Sequence, residues 1–302
     1  MVRTYPDARI TVACGPLVEG FFKAVPQVEC VIPLKKEKYA RHWMMLWRQV
    51  YKTRWDMVVD LRNSAVSRLI RASTRHIFGG HIDASLHKAA QNAAVMRLSE
   101  IPALKLWFDE QTLGAAALAV PEGTPVLAVG PAANWQAKTW PAERFIELIR
   151  RLTDPRELDA ILPNARVAVI AAPGEEAQSK PVLESIPEHR RIDLIAKGSP
   201  LFAAACLARC DLYVGNDSGL MHSAAAAGIP TFGLFGPSWP HLYRPWGPHT
   251  AYISTPQDFA QLTSYEGYDP KTAPCLMTSL SVGDVTDRLI DFWQAVQSQK
   301  AA

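Results

Sequence analysis

The stretch that decides the fold reads LYVGNDSGLMH and spans Leu212–His222. Its first part is an apolar run of strand length, and its second part has the small and polar residues of a strand-to-helix turn. Such a turn leaves the first backbone N–H groups of the next helix uncovered, and these groups together with the helix dipole bind anions such as a diphosphate. In an open α/β sheet, ligands lie at the carboxyl ends of the strands, where this turn is located. The stretch therefore predicts a parallel sheet with a candidate anion site, although Asp217 and Ser218 are also ordinary residues for capping a helix.

The helix that follows the turn adds one further candidate. Ser218 and His222 are four residues apart, so they share a helix face and His222 would reach a ligand held at the helix start. A histidine satisfied within the core is the competing interpretation. Gly228 and Pro230 predict that the helix ends just after its run of alanines.

The same alternation of apolar runs and helical patterns extends in both directions along the chain. The predicted strands are Arg9–Ala13, Glu29–Pro33, Trp55–Asp60, His76–Gly80, Val126–Gly130, Ala165–Ala171, Asp211–Gly215 and Thr231–Gly236. The predicted helices are Leu17–Ala24, Lys35–Lys52, Ser64–Ala72, Ala142–Leu152, Pro200–Arg209, Ser218–Ala227 and Val282–Gln297. A turn-rich linker at residues 121–125 separates two series. We therefore predict an α/β fold of two Rossmann-like domains with a cleft between them, over residues 1–120 and 121–280, and a C-terminal helix within residues 281–302 that packs back on the first domain.

Composition narrows the class of protein. The chain has 302 residues, of which 48% are hydrophobic and 20% charged, as in ordinary globular proteins. Its net charge of +3 is too small to indicate nucleic acid, and it fits a small anionic ligand or a basic patch near a membrane equally well. Five cysteines without a CxxC pair favour a reducing compartment. No apolar run has the length of a signal peptide or of a membrane span, so we expect a cytoplasmic protein.

Residues 35–55 interleave basic and aromatic side chains. Trp43 and Trp47 are four residues apart and share a helix face. One interpretation is a basic helix that lies on an anionic membrane surface. The other, which we favour, is a helix that packs its tryptophan face on the sheet and keeps its charges in water. No recognised nucleic-acid module is present, and we expect no nucleic-acid partner.

The order of the motifs resembles the signature of the ADP-heptose:lipopolysaccharide heptosyltransferases, glycosyltransferase family 9. The motifs that carry the resemblance are Asn216–His222, Gly228–Pro230, Leu234–Ser238, Pro245–Pro248, Ala137–Pro141 and Pro274–Met277, with looser similarity at Tyr5–Ile10 and Trp55–Asn63. The resemblance implies the GT-B fold, in which the first domain binds the acceptor and the second binds the nucleotide sugar. It also implies an enzyme, a glycosyltransferase that moves heptose from ADP-heptose to the lipopolysaccharide inner core, with inversion and without a metal or cofactor.

Carried over by position, the resemblance implies a donor site. Its candidate residues are Asn134, Lys138, Glu176, Asp217, Ser218, Gly219, Leu220, Met221 and His222. Lys138 would neutralise the leaving diphosphate in place of magnesium, and an ordinary surface lysine is the competing interpretation. Asp217 repels phosphate, so capping the helix or accepting a sugar hydroxyl suits it better. Glu176 would hold a ribose hydroxyl, and a solvated loop is an equal alternative.

On the acceptor side, Lys35, Arg41 and Arg62 are the candidates to face a lipid-anchored acceptor that carries Kdo or heptose. Such an acceptor implies peripheral contact with the inner face of the inner membrane. Two alternative functions stay open. One is a catalytically silent relative that binds a nucleotide sugar, and the other is a GT-B transferase for a different nucleotide sugar.

The family's opening strand and its glycine-aspartate loop have no counterpart ahead of Tyr5 in this sequence. We therefore expect a first domain that lacks its first strand, with the neighbouring strands left unpaired on one side. The aspartate of that loop is the family's expected general base, so we assign no catalytic base. Asp60 is a candidate substitute, and a structural carboxylate at the edge of the core is the favoured interpretation.

Overall fold

The computed structural model describes residues 1–158 and 160–301. The chain divides into two compact units, Met1–Asp109 and Glu110–Ala302. No helix in the described part of the chain combines the length and the apolar character needed to cross a membrane.

The first unit contains two separate pairs of strands. Its strands are β1 (Ile10–Cys14), β2 (Val28–Pro33), β3 (Trp55–Asp60) and β4 (Ala72–Ile77). Its helices are α1 (Glu19–Lys23), α2 (Arg41–Val50), α3 (Val66–Leu69) and α4 (Lys88–Val95). Within residues 1–109, β1 pairs in parallel with β2 and β3 pairs in parallel with β4, and no ladder joins the two pairs. The expectation of neighbouring strands that lack a common partner is thus confirmed.

Helix α2 packs its aromatic face inward. Trp43 and Trp47 lie against a small core whose buried members are Ile32, Leu46, Val50, Val66 and Ile70. The helix begins only at Arg41, because Tyr39 and Ala40 both adopt a left-handed φ of 57° that interrupts the predicted helix. The packing interpretation of the tryptophans therefore holds, and the basic side chains of Lys35 and Arg41 are exposed.

The second unit is built on a six-stranded parallel sheet. Its strands are β5 (Val126–Gly130), β6 (Arg166–Ala171), β7 (Arg191–Ile195), β8 (Leu212–Asn216), β9 (Thr231–Phe235) and β10 (Thr250–Ser254). Its helices are α5 (Glu110–Ala119), α6 (Ala142–Thr153), α7 (Glu176–Ser185), α8 (Pro200–Leu207), α9 (Gly219–Ala227), α10 (Pro240–Tyr243), α11 (Phe259–Thr263) and α12 (Val282–Ala301). The strand order is β10-β9-β8-β5-β6-β7. This is the doubly wound Rossmann order, and the direction of winding reverses between β5 and β8.

The central strands are apolar because both faces of this sheet are covered. Every residue of β5, β8 and β9 is buried, as expected for parallel strands between layers of helices. Helix α12 packs on α6 and β10, with Val285 and Leu289 fully withdrawn from water. Gly228 ends α9 with a left-handed φ of 86°, as predicted.

Candidate functional site

Two loops bring opposite charges together where the sheet reverses its winding. Nζ of Lys138, from the loop after β5, lies 3.2 Å from Oδ2 of Asp217, which follows β8. The side chains are 17% and 9% exposed, so water screens the pair only weakly. Desolvation offsets much of the attraction in such a pair. The contact therefore shows where the two side chains lie, and it is weak evidence that they stabilise the fold. The structure thus holds a lysine ammonium at the place where Rossmann sheets bind ligands.

Helix α9 begins directly after this pair. Ser218 occupies the N-cap position with extended backbone, but within the described residues its hydroxyl makes no capping bond to the helix. The first N–H groups of α9 are therefore left without a side-chain cap from Ser218, and they lie at the positive end of the helix dipole. A lysine ammonium and a helix start adjoin here, and both are suited to an anionic ligand.

Asn216, the first residue of the predicted motif, ties the two loops together, a role that was not predicted from the sequence. Its side chain is fully buried. Oδ1 accepts the backbone N–H of Trp140 at 3.1 Å, and Nδ2 donates to the carbonyl of Pro131 at 2.9 Å. These two partners bracket the loop of Lys138, so a single amide fixes both ends of that loop to β8. The signal in the sequence is a polar amide at the end of an otherwise apolar strand.

A distant segment closes the same loop from the other side. The N–H of Leu276 donates to the carbonyl of Ala137 at 2.8 Å. The indole of Trp140 donates to the carbonyl of Leu280 at 2.9 Å, and that of Trp135 donates to the carbonyl of Pro270 at 2.6 Å. The motifs Ala137–Pro141 and Pro274–Met277 are thus in contact, and their shared effect is to shape the segment that carries Lys138.

The remaining donor-side candidates differ in exposure. Gly219 and His222 are exposed on α9, and Leu220 is half-buried. Met221 is fully buried, and a Cβ atom added to Gly233 would come within 2.6 Å of its sulfur, so Met221 lies on the core side of the helix. Asn134 is exposed in the loop of Lys138.

Glu176 opens helix α7 at the carboxyl end of β6. Its carboxylate accepts the N–H of Gly174 at 2.9 Å. Hydrogen bonds from its own backbone N–H and from that of Gly174 hold the pKa of Glu176 below its usual value. The residue is therefore an ionised acceptor that follows β6, the strand next to β5, and its contact with a ribose hydroxyl remains a prediction.

In the first unit the acceptor-side candidates are exposed, and Asp60 has a structural role. Arg62 lies just after β3, and its backbone N–H donates to Oδ1 of Asp60 at 2.8 Å. Ser64 donates to Oδ2 through both its N–H and its hydroxyl, each at 2.7 Å. Burial alone would raise the pKa of Asp60, but hydrogen bonds from Ser64, Ser67 and the backbone outweigh it and hold the pKa below its usual value. This carboxylate braces a turn, as the favoured interpretation expected.

We expect Asp60→Asn to destabilise the protein at neutral pH by about 1–3 kcal/mol, because an amide replaces an ionised acceptor that receives three hydrogen bonds. A carboxylate with a lowered folded-state pKa stabilises the fold above its unfolded pKa of about 4 and loses that effect as the pH falls through the folded value. The difference between the two proteins, measured by urea unfolding from pH 7 to pH 3, should therefore shrink on acidification. Asp83→Asn is the control, since Asp83 accepts from Ser85 in a similar way but is exposed. A difference that grows at low pH would contradict this role.

No group of three or more histidine, cysteine or acidic side chains placed to hold a metal ion occurs among residues 1–158 and 160–301.

Comparison of sequences places this site within a known family. The profile of glycosyltransferase family 9 (heptosyltransferase) matches residues 99–268, which include the loop of Lys138 and the turn at Asp217. Lipooligosaccharide heptosyltransferase 2 of Haemophilus influenzae is 30% identical over 284 residues, covering 80% of this chain and 78% of that protein. Lipopolysaccharide heptosyltransferase 1 of an Escherichia coli O18:K1:H7 strain is 27% identical over 285 residues, covering 82% and 84%.

Solved structures agree on the fold. A glycosyltransferase family 9 protein from Veillonella parvula superposes with a TM-score of 0.75 at 19% identity, covering 97% of this chain and 90% of that one. The ADP-heptose lipopolysaccharide heptosyltransferase II of E. coli gives a TM-score of 0.68 at 20% identity, covering 98% and 92%. An E. coli heptosyltransferase solved with ADP gives 0.68 at 18% identity, covering 96% and 92%. The predicted α/β fold of the GT-B class is confirmed.

Proposed function

The chain belongs to glycosyltransferase family 9, the heptosyltransferases, and we propose that it transfers heptose from ADP-heptose to the inner core of lipopolysaccharide. The observation that carries the proposal is the contact between Lys138 and Asp217 at the start of α9. The names of its relatives support the sugar and the acceptor, and a neighbour of similar fold was solved with ADP.

The donor diphosphate binds, in this proposal, between Lys138 and the first N–H groups of α9. A lysine and a helix start together supply the positive charge that a divalent metal supplies in other sugar transferases. Asp217 holds the ammonium in place before the ligand arrives, and Glu176 is the proposed partner of a ribose hydroxyl. We propose the remaining candidates on α9 as neighbours of the donor sugar, with His222 on the exposed face of the helix.

The proposed reaction is a single displacement with inversion. A hydroxyl of the acceptor attacks the anomeric carbon of heptose on the side opposite the diphosphate. The bond from that carbon to the diphosphate oxygen breaks, and ADP leaves with the electron pair and is stabilised by Lys138. The proton of the hydroxyl passes to a base that remains unassigned.

A second candidate function is binding of the nucleotide sugar without transfer. Asp60 supports it, because hydrogen bonds already occupy both oxygens of this carboxylate and hold its pKa low, which makes it a poor base. The donor side of the site is the same in both candidates, and only turnover distinguishes them.

We propose a cytoplasmic enzyme that meets its lipid-anchored acceptor at the membrane surface. Lys35, Arg41 and Arg62 are exposed on the first unit and supply positive charge for a phosphorylated acceptor. Sedimentation with vesicles that contain anionic lipid tests the membrane contact, and a chain that stays in the supernatant at low salt would contradict it.

Transfer from ADP-heptose to Kdo-lipid A, followed by mass spectrometry of the product and by release of ADP, tests the proposed function directly. We expect product in the presence and in the absence of EDTA, because no step uses a metal ion. Binding of ADP without turnover would favour the second candidate. Product formed only from a nucleotide sugar other than ADP-heptose would point to a different GT-B transferase. If no ADP compound binds, the donor site is wrong.

A further inference from the structure

Tyr213 lies directly beneath the candidate site. It is a residue of β8, and its side chain is fully buried. Gly130 of β5 and Gly215 of β8 pair across the two strands, and a Cβ atom added to either glycine would overlap the Tyr213 hydroxyl oxygen. The two glycines therefore leave the space into which the phenol reaches. The Tyr213 hydroxyl lies between β5 and β8 near their carboxyl ends, beside the turn that precedes α9.

The Tyr213 and Ser218 hydroxyls are both buried and lie close enough to influence each other, but neither forms a hydrogen bond of normal geometry with any described residue. Native proteins seldom bury a hydroxyl without one, so each such group calls for an explanation. The hydroxyls of Ser238 and Ser254, which lie after β9 and at the end of β10, are in the same condition. Four hydroxyls without hydrogen-bond partners among the described residues therefore lie at the carboxyl end of this sheet. They indicate that a molecule outside the described residues supplies their hydrogen-bond partners.

The Tyr213 phenol is a proton donor at neutral pH. Burial raises the pKa of Tyr213 far above its usual value, and the adjacent Ser218 hydroxyl lowers it by a smaller amount. Each of the two hydroxyls carries one proton. If one hydroxyl of the pair donates its proton to the other, the second proton still needs an acceptor. The Ser218 hydroxyl does not use its hydrogen-bonding capacity to cap the helix.

We propose that Tyr213 is a positioning residue, which holds the Ser218 hydroxyl so that the pair donates its remaining proton to an anionic oxygen of a nucleoside diphosphate at the start of α9. The inference rests on the proposed function for its ligand, and it adds a role for a residue beneath the site. A helix start alone accepts many anions. The buried pair makes this start selective, because only a ligand oxygen held close to Ser218 supplies the missing acceptor.

Calorimetric titration with ADP tests the proposal on four proteins: the unsubstituted chain, Tyr213→Phe, Ser218→Ala and the double variant. We expect each single variant to bind ADP roughly tenfold more weakly, as for one lost hydrogen bond to a charged group. The double variant should bind no more weakly than either single one, because both changes remove the same donor. Tyr252→Phe, on the edge strand of the same sheet, is the control and should leave the affinity unchanged.

Thermal unfolding separates this role from a merely structural one. Tyr213→Phe keeps the ring and removes a hydroxyl that, in the free protein, forms no hydrogen bond of normal geometry with the described residues, so its unfolding midpoint without ligand should be no lower than that of the unsubstituted chain. Unchanged ADP affinity in Tyr213→Phe would overturn the inference and leave the proposed function standing, as would losses that add in the double variant. Should Tyr213→Phe fail to fold, unchanged affinity in Ser218→Ala would overturn it equally. Failure of the unsubstituted chain to bind ADP would instead remove the proposed function.

Discussion

Lys138→Ala is expected to lower the turnover of ADP-heptose by about 100- to 1000-fold, the loss seen when one group that stabilises developing charge is removed. The Lys138 ammonium pairs with Asp217, which lies directly before the start of α9. Its removal also leaves the Asp217 carboxylate, whose side chain is only 9% exposed, to repel the incoming diphosphate. Steady-state kinetics should show the loss in kcat, and titration should show weaker binding of ADP.

Two variants make this result specific. Lys138→Arg keeps the charge and should recover part of the activity, although a guanidinium is larger than the ammonium it replaces. Lys23→Ala removes a lysine that forms an exposed ion pair with Glu19 in α1, and it should change neither kinetics nor binding. If Lys138→Ala lowered only the unfolding temperature and left ADP affinity intact, Lys138 would be a structural residue.

Gly215→Ala is expected to destabilise the second unit by about 3 kcal/mol or more, at the upper end of the range for overpacked cores. The added Cβ would lie 2.7 Å from the carbonyl oxygen of Gly130 and would overlap the Tyr213 hydroxyl. A backbone atom in a central strand has little freedom to move away. Differential scanning calorimetry of the purified variant, or its failure to appear in the soluble fraction, checks this expectation.

Gly130→Ala gives a matched comparison, because the three heavy atoms nearest to its added Cβ all belong to the Tyr213 side chain. It should destabilise the second unit as well, and adding Tyr213→Phe should restore part of the loss by removing the overlapping oxygen. The same second change should not rescue Gly215→Ala, since the carbonyl of Gly130 is still in the way. Equal rescue of both variants would mean that the hydroxyl alone fixes the space between these strands.

The central part of the fold is predictable from sequence because its signals are local. Strands β5, β8 and β9 are apolar runs between turn residues, and the run of alanines followed by Gly228 defines α9 and its end. Elements at the edges of the sheets are harder to predict from sequence. Strand β7, Arg191–Ile195, alternates polar and apolar residues next to basic residues, and no strand was predicted there. The helix predicted over Ser64–Ala72 is shorter in the structure, because Ile70 turns to extended backbone and β4 begins at Ala72.

The candidate site was predictable in its parts but not in its connections. Lys138 and Asp217 each stand in a recognisable motif, yet their contact joins residues 79 positions apart. The structural roles of Asn216 and Tyr213 were not predicted, for a related reason. The role of a buried amide or phenol can be inferred only when its neighbours in space are known. Here these neighbours come from other strands and loops. Sequence patterns report the surroundings of a residue along the chain, whereas these roles depend on what lies across the sheet.

The closure of the Lys138 loop by residues 270–280 has a consequence for the order of folding. Synthesis proceeds from the amino terminus, so β5 and Lys138 leave the ribosome long before Leu276 and Leu280 exist. Until then the loop lacks the bonds that hold Ala137 and Trp140. Contacts of such high sequence separation also form late in refolding, because the intervening chain must be ordered first. The candidate site is therefore completed by a segment that is made 140 residues after Trp140, and a nascent chain is expected to hold a sheet before it holds this site.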